Sequence, residues 1–201
     1  LSLHDALPIF FGAEGQDGGI TVGGSAGAAV EGNRTLELKG TFGNGDFQNV
    51  TFTRFDEINI AQEGSSATIW ALTDSPSLTK TGAGTLALGY AGNTLAHLTV
   101  EEGTLAFTGG ATIGVNPNNA TIVRVSEGAS LALSGGTVNL HAQLNGAGTV
   151  TIGTADTAGL VNISNTGNTN FTGRLELVGN GVNMNTNANW VAFGAGNTLG
   201  G

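Results

Sequence analysis

SLTKTGAGTLALGYAGNTLAHLTVEEGTLAF, residues Ser77 to Phe107, is the stretch whose reading decides the fold. It contains three short apolar runs: Leu86-Ala87-Leu88, Leu98-Thr99-Val100 and Leu105-Ala106-Phe107. Each places apolar residues two apart, the period of a strand with one buried face. Between the runs stand Gly82-Ala83-Gly84, Gly89-Tyr90-Ala91-Gly92-Asn93 and Glu101-Glu102-Gly103, which supply turns. No run is long enough for an ordinary helix, so the stretch reads strand, turn, strand, turn, strand.

Working outward, the same pattern recurs. Leu86, Leu105, Leu131, Val150 and Leu175 each open an apolar-x-apolar triplet, at successive spacings of 19, 26, 19 and 25 residues. Four of the triplets follow Gly84-Thr85, Gly103-Thr104, Ala129-Ser130 and Gly148-Thr149. A period of about 20–25 residues with short strands in each unit is the signature of a solenoid, in which each unit buries its apolar face against the next. Earlier rungs are expected at Leu36-Glu37-Leu38, Val50-Thr51-Phe52, Ile58-Asn59-Ile60 and Thr68–Leu72. Later ones are expected at Thr121–Val125, Val138-Asn139-Leu140, Leu160–Ile163, Val182-Asn183-Met184 and Trp190–Phe193. At about 4.8 Å per rung, eight or so rungs would make a rod roughly 40 Å long, with Leu, Val, Ile and Phe in files along its interior.

Composition agrees with such an architecture. The 201 residues include 35 Gly and 3 Pro, with 39% hydrophobic and 10% charged residues. That is too apolar and too weakly charged for a disordered segment. Glycine and asparagine supply the tight turns that many short strands require. The net charge is −9 and no two Lys or Arg are adjacent. Nucleic acid, which needs a basic stripe, is therefore not an expected partner. Cysteine is absent, which excludes a disulfide scaffold and is equally compatible with a chain that crosses a periplasm unfolded and with a cytosolic protein. No apolar run is long enough for a transmembrane helix.

Leu78-Thr79-Lys80-Thr81-Gly82-Ala83-Gly84-Thr85-Leu86-Ala87-Leu88 resembles the opening of the passenger-associated transport repeat of bacterial autotransporters. Asn93-Thr94 and Gly103-Thr104-Leu105 continue the resemblance, which thus runs from Leu78 to Leu105. The repeat usually carries an aromatic after Asn-Thr and then Thr-Gly-Gly, where this chain has Leu95-Ala96-His97. A second, broken copy starts at Leu144-Asn145-Gly146-Ala147-Gly148-Thr149-Val150 and resumes at Asn168–Gly173. The resemblance implies an all-β, single-stranded right-handed parallel β-helix, part of a longer rod. It also implies a non-catalytic stalk or scaffold, adhesin-like, at the outer-membrane surface of a Gram-negative bacterium. The partners it implies are a downstream outer-membrane β-barrel of the same polypeptide and ligands on host or neighbouring cells.

Domain organisation is read as one β-helix over residues 10–201, with the transport-repeat-like motif at 77–107. Residues 1–9, LSLHDALPI, lack glycine and any rung, and are read as a non-native leader. They have neither the basic start nor the cleavage site of a signal peptide. The chain is accordingly expected to be a piece of a longer protein.

No catalytic, cofactor-binding or metal-binding residue is expected, and each candidate has an ordinary reading. Gly23-Gly24-Ser25-Ala26-Gly27 matches the nucleophile elbow, but no helix can be read after Ser25. His4, His97 and His141 show no zinc spacing. Asp17, Asp46, Asp56, Glu57, Asp74 and Asp156 lack the regular repeat of calcium-binding β-rolls. Glu101 and Glu102 would point to opposite faces if they lay on a strand, which argues against a paired-carboxylate site. Trp70, Tyr90 and Trp190 are the few aromatics suited to sugar stacking. The five Asn-x-Ser/Thr sequons, at Asn33, Asn49, Asn119, Asn162 and Asn170, are expected by chance in so Asn- and Thr-rich a chain. Two further functions stay open: a carbohydrate-active β-helix enzyme, marked by a cleft with two carboxylates and an aromatic, and an adhesin, marked by an exposed apolar or aromatic patch.

Overall fold

A computed structural model describes residues 9–11, 28–31, 35–43, 45, 47–90, 92–114, 121–154, 160–163, 170–178, 183–186 and 199–200. The strands run in chain order β1 (Ile9–Phe11), β2 (Ala28–Glu31), β3 (Thr35–Gly40), β4 (Phe47–Thr53), β5 (Glu57–Gln62), β6 (Ser66–Thr73) and β7 (Ser75–Thr81). They continue with β8 (Thr85–Leu88), β9 (Asn93–Val100), β10 (Thr104–Phe107), β11 (Ala111–Ile113), β12 (Ile122–Val125), β13 (Ser130–Leu133) and β14 (Thr137–Leu140). The last are β15 (Gln143–Asn145), β16 (Thr149–Ile152), β17 (Leu160–Ile163), β18 (Arg174–Leu177), β19 (Asn183–Thr186) and β20 (Leu199–Gly200).

Alternate strands build two parallel sheets. One follows β2-β4-β6-β8-β10-β13-β16-β18-β20, and the other follows β1-β3-β5-β7-β9-β11-β14-β17-β19 with β12 and β15 attached. Successive strands alternate between the sheets except from β11 to β12 and from β14 to β15, which stay within one sheet. This is a parallel β-solenoid, the β-helix expected from the triplets. Residues 1–8 of the leader read at 1–9, and the rung expected at Trp190–Phe193, lie outside the described residues, while Ile9 heads β1.

Register follows the sequence pattern residue for residue. Leu86 pairs with Leu105, Leu105 with Leu131, Leu131 with Val150, and Val150 with Leu175. One step along the strands, Leu88, Phe107, Leu133, Ile152 and Leu177 form a second line in the same order. Except for Leu177, which is partly exposed, these side chains are buried in one core cluster running along the stack. At the lower end, Phe42, Phe47, Phe52 and Phe55 extend it as a chain of ring contacts at 5.3, 5.8 and 6.5 Å. The first two contacts are edge-to-face, the geometry favoured by the ring quadrupole.

The 26-residue step from Leu105 to Leu131 and the 19-residue step from Leu131 to Val150 each carry two strands of the second sheet, so the number of strands does not set the spacing. Over β9 the second sheet forks: Asn93–Leu95 pairs with β11, while Leu98–Val100 pairs with β12. β11 leads on to β14, and β12 leads on to β15. The step from Leu105 to Leu131 carries β11 and β12, and residues 115–120 between them lie outside the described set. The step from Val150 to Leu175 similarly includes 155–159 and 164–169.

The turns before the first sheet explain the Gly-Thr-Leu writing. A Cβ added at Gly84 would stand 1.7 Å from the Gly64 carbonyl oxygen of the turn below. At Gly103, φ is +66° and an added Cβ would stand 2.4 Å from the Gly84 oxygen. Backbone packs directly on backbone here, so no side chain fits, and Gly103 also needs the left-handed conformation that glycine adopts freely.

Candidate functional site

The inward files are not wholly apolar, and the exceptions sit where strands meet turns. Lys80, Gln62 and Asn93 are buried, at 0%, 0% and 1% exposure. Lys80 occupies an inward position between Ile60 on the strand below and Val100 above. Its ammonium donates to the carbonyls of Thr81 at 2.8 Å, Gly82 at 2.6 Å and Glu102 at 3.0 Å. All three N–H donors are thereby used, as a buried cation requires. Burial pushes the Lys80 ammonium below the usual lysine range, and the nearby Glu102 and Glu63 charges act in the opposite sense.

Gln62 works as a short piece of extra strand. Its Oε1 accepts from the Phe42 N–H at 3.1 Å and its Nε2 donates to the Phe42 carbonyl at 2.9 Å. Asn93 Oδ1 accepts from the Leu72 N–H at 2.9 Å, and its Nδ2 donates to the Tyr90 carbonyl. Each of these side chains joins segments about one coil apart and satisfies backbone groups that a turn would leave unpaired. Their signal in sequence is positional: Leu78-x-Lys80 and Ile60-x-Gln62 continue the inward alternation with a polar residue.

On the outside, the fork creates a shallow groove of about 470 Å³ lined by His97, Thr99, Ile122, Arg124, Asn145 and Gly146. Pairing of β9 with β12 and of β12 with β15 aligns Thr99, Arg124 and Asn145 in one outward file. His97 Nδ1 accepts from the Ile122 N–H at 3.3 Å, so the ring carries its proton on Nε2. Ile122 is 38% exposed, which is unusual for so large an apolar residue among those described. Among the described residues the lining includes a cation and no carboxylate.

A second external feature is the stacked pair Trp70 and Tyr90, with ring centroids 5.3 Å apart and planes at 29°. The two residues are 39% and 43% exposed on consecutive coils. They pack on each other, so each ring already spends one face on its neighbour.

The other sequence candidates are dispersed. Glu101 and Glu102 are exposed but lie in the turn after β9 rather than on a strand. Asp56 and Asp74 are exposed at turns and Glu57 opens β5. His141 is half-buried after β14, a separate position from His97. Among the described residues no group of three or more His, Asp or Glu is placed to hold a metal ion. Ser25, Asp17, Asp46, Asp156 and Trp190 lie outside the described residues. The groove around Arg124 was not legible in the sequence, because its lining comes from three strands and no local motif marks it.

Protein-family models, curated proteins and solved structures were each compared with the chain, and none matches it.

Proposed function

We propose that this chain is a stalk or scaffold segment of a bacterial surface passenger of the autotransporter kind, carrying or presenting adhesive regions outside the cell. The observation that carries the reading is the unbroken inward file Leu86, Leu105, Leu131, Val150 and Leu175 over stacked parallel strands. A rod built this way gains stability from each coil laid on the last and needs no cofactor or disulfide. The staples of Lys80, Gln62 and Asn93 add links between coils. The Lys-Thr-Gly-Ala-Gly-Thr-Leu order at 80–86 supports the same reading by its resemblance to the transport repeat. On this proposal a membrane β-barrel lies downstream in the same polypeptide and the rod faces the medium.

The test is labelling of source cells with antibody raised against the chain. Staining of intact cells, removed by brief external protease, is the expected result. Staining only after permeabilisation would overturn the proposal.

A further inference from the structure

We infer that the groove at the fork is a binding site for a carboxylate-bearing saccharide, held by Arg124 with His97, Thr99 and Asn145. The inference is independent of the stalk reading, since it concerns one side face and not where the rod is displayed.

The first ground is charge. The chain carries 15 acidic and 6 basic residues, yet among the described residues this groove has a guanidinium and no carboxylate in its lining. Arg124 is exposed and makes no ion pair with a described residue, whereas Arg174 is paired with Glu176 at 2.9 Å. A planar guanidinium presents parallel N–H donors that match a carboxylate in two-point fashion.

The second ground is the kind and spacing of the other groups. Thr99 and Asn145 flank Arg124 in register, one rung to either side. Neighbouring rungs are about 4.8 Å apart, close to the length of one sugar ring. His97 adds an outward N–H donor, because its Nδ1 is already held by the Ile122 N–H. Hydroxyl, amide and imidazole groups around a single exposed apolar side chain suit a hydroxyl-rich ligand with one small apolar face.

The third ground separates sugar from peptide. β12 is paired on both sides, by β9 and β15, so it offers no backbone edge to an extended acidic peptide. The lining also lacks the deep apolar pockets that anchor peptide side chains. Thr99 and Arg124 stand on strands paired on both sides, which fixes their backbone before any ligand arrives, while Asn145 stands on β15, paired with β12.

The test is an amide-resolved NMR titration of the whole chain with tetragalacturonate and, separately, sialyllactose. These distinguish an internal uronate from a terminal acidic sugar. Shifts centred on His97, Thr99, Ile122, Arg124 and Asn145 with either probe are expected. Arg124→Gln should weaken binding by at least about tenfold, the scale of a charge-assisted two-point contact. Arg174→Gln should leave binding unchanged. Because Arg124 is exposed, the variant's spectrum should otherwise overlay that of the parent, which separates lost binding from lost fold. Absence of shifts with both acidic sugars would overturn the inference. So would equal binding of cellotetraose, which has no carboxylate, or of a tetraglutamate peptide, which would mark a plain anion patch.

Discussion

Lys80 and Glu102, 22 residues apart in the chain, are joined by a 3.0 Å hydrogen bond from the buried ammonium to the main-chain carbonyl. The bond ties one coil to the next through the interior of the corner, and the same ammonium holds Thr81 and Gly82 on its own coil. Lys80→Met keeps an apolar stem of similar length but removes every donor. Three carbonyls then lose their charged partner. The expected loss is about 3 kcal/mol, given the cost of leaving buried acceptors unmet. Urea unfolding at neutral pH checks it, and an unchanged midpoint would show the ammonium to be dispensable.

Lys80 also makes a pH prediction with a definite sign. Its folded-state pKa lies below the ordinary value of 10.5, with burial the main cause. Between those two values the unfolded chain binds more protons than the folded one, so stability rises with pH in that window. Below the folded-state value the contribution no longer changes. The difference between the stability–pH profiles of the parent and Lys80→Met should therefore slope upward towards pH 10.5. Parallel profiles would contradict the assignment.

Gln62→Leu tests the second staple. The leucine fills most of the volume but cannot pair with the Phe42 N–H and carbonyl, which Gln62 satisfies at 3.1 and 2.9 Å. Two buried backbone groups would be left unmet, at a cost of about 2–4 kcal/mol. Amide exchange at Phe42, followed alongside global unfolding, should quicken more than at Phe107, which lies in the ladder between β8 and β13.

The fold was legible because the triplets state their own register. Leu86, Leu105, Leu131, Val150 and Leu175 stand in line as read, with small residues leading into them. The fork was not legible. Thr121–Val125 shows the same alternation as any other strand, and no local signal marks that it pairs with Leu98–Val100 of β9 while β11 pairs with Asn93–Leu95 of the same strand. Lys80 was hidden for a different reason. Alternation from Leu78 places it inward, but a lone lysine ordinarily marks the wet side of a strand, and the carbonyls that receive it lie at the end of β7 and in the turns after β7 and β9. The groove needed coordinates, since Thr99, Arg124 and Asn145 meet only after two full coils have been laid down.

Gly84→Ala tests backbone-on-backbone packing at the turn. The added methyl would meet the Gly64 carbonyl oxygen, which belongs to the chain rather than to a side chain that can swing away. Relief requires the two coils to part, and a loss of about 3 kcal/mol is expected. Gly45→Ala is the matched control, because nothing lies within 4 Å of a Cβ there. It should stay within about 0.5 kcal/mol of the parent. Thermal unfolding of the pair gives the comparison directly, and similar midpoints for both variants would show that the turns are not in contact.

Leu105→Ala asks whether stability is shared along the rod or held coil by coil. Leu105 is fully buried, with Leu86 below it and Leu131 above it in the same file. Truncation leaves a cavity bounded by its neighbours, at a cost of about 3 kcal/mol. In a stack where each coil touches only the next, that loss concentrates on the coils that line the cavity. Hydrogen exchange should therefore quicken most in β8, β10 and β13. It should quicken less in β4, which is separated from β8 by β6. A uniform acceleration from β3 to β18 would instead mean that the coils open as one unit. The Leu105 cavity would then weaken the whole rod rather than the three strands around it.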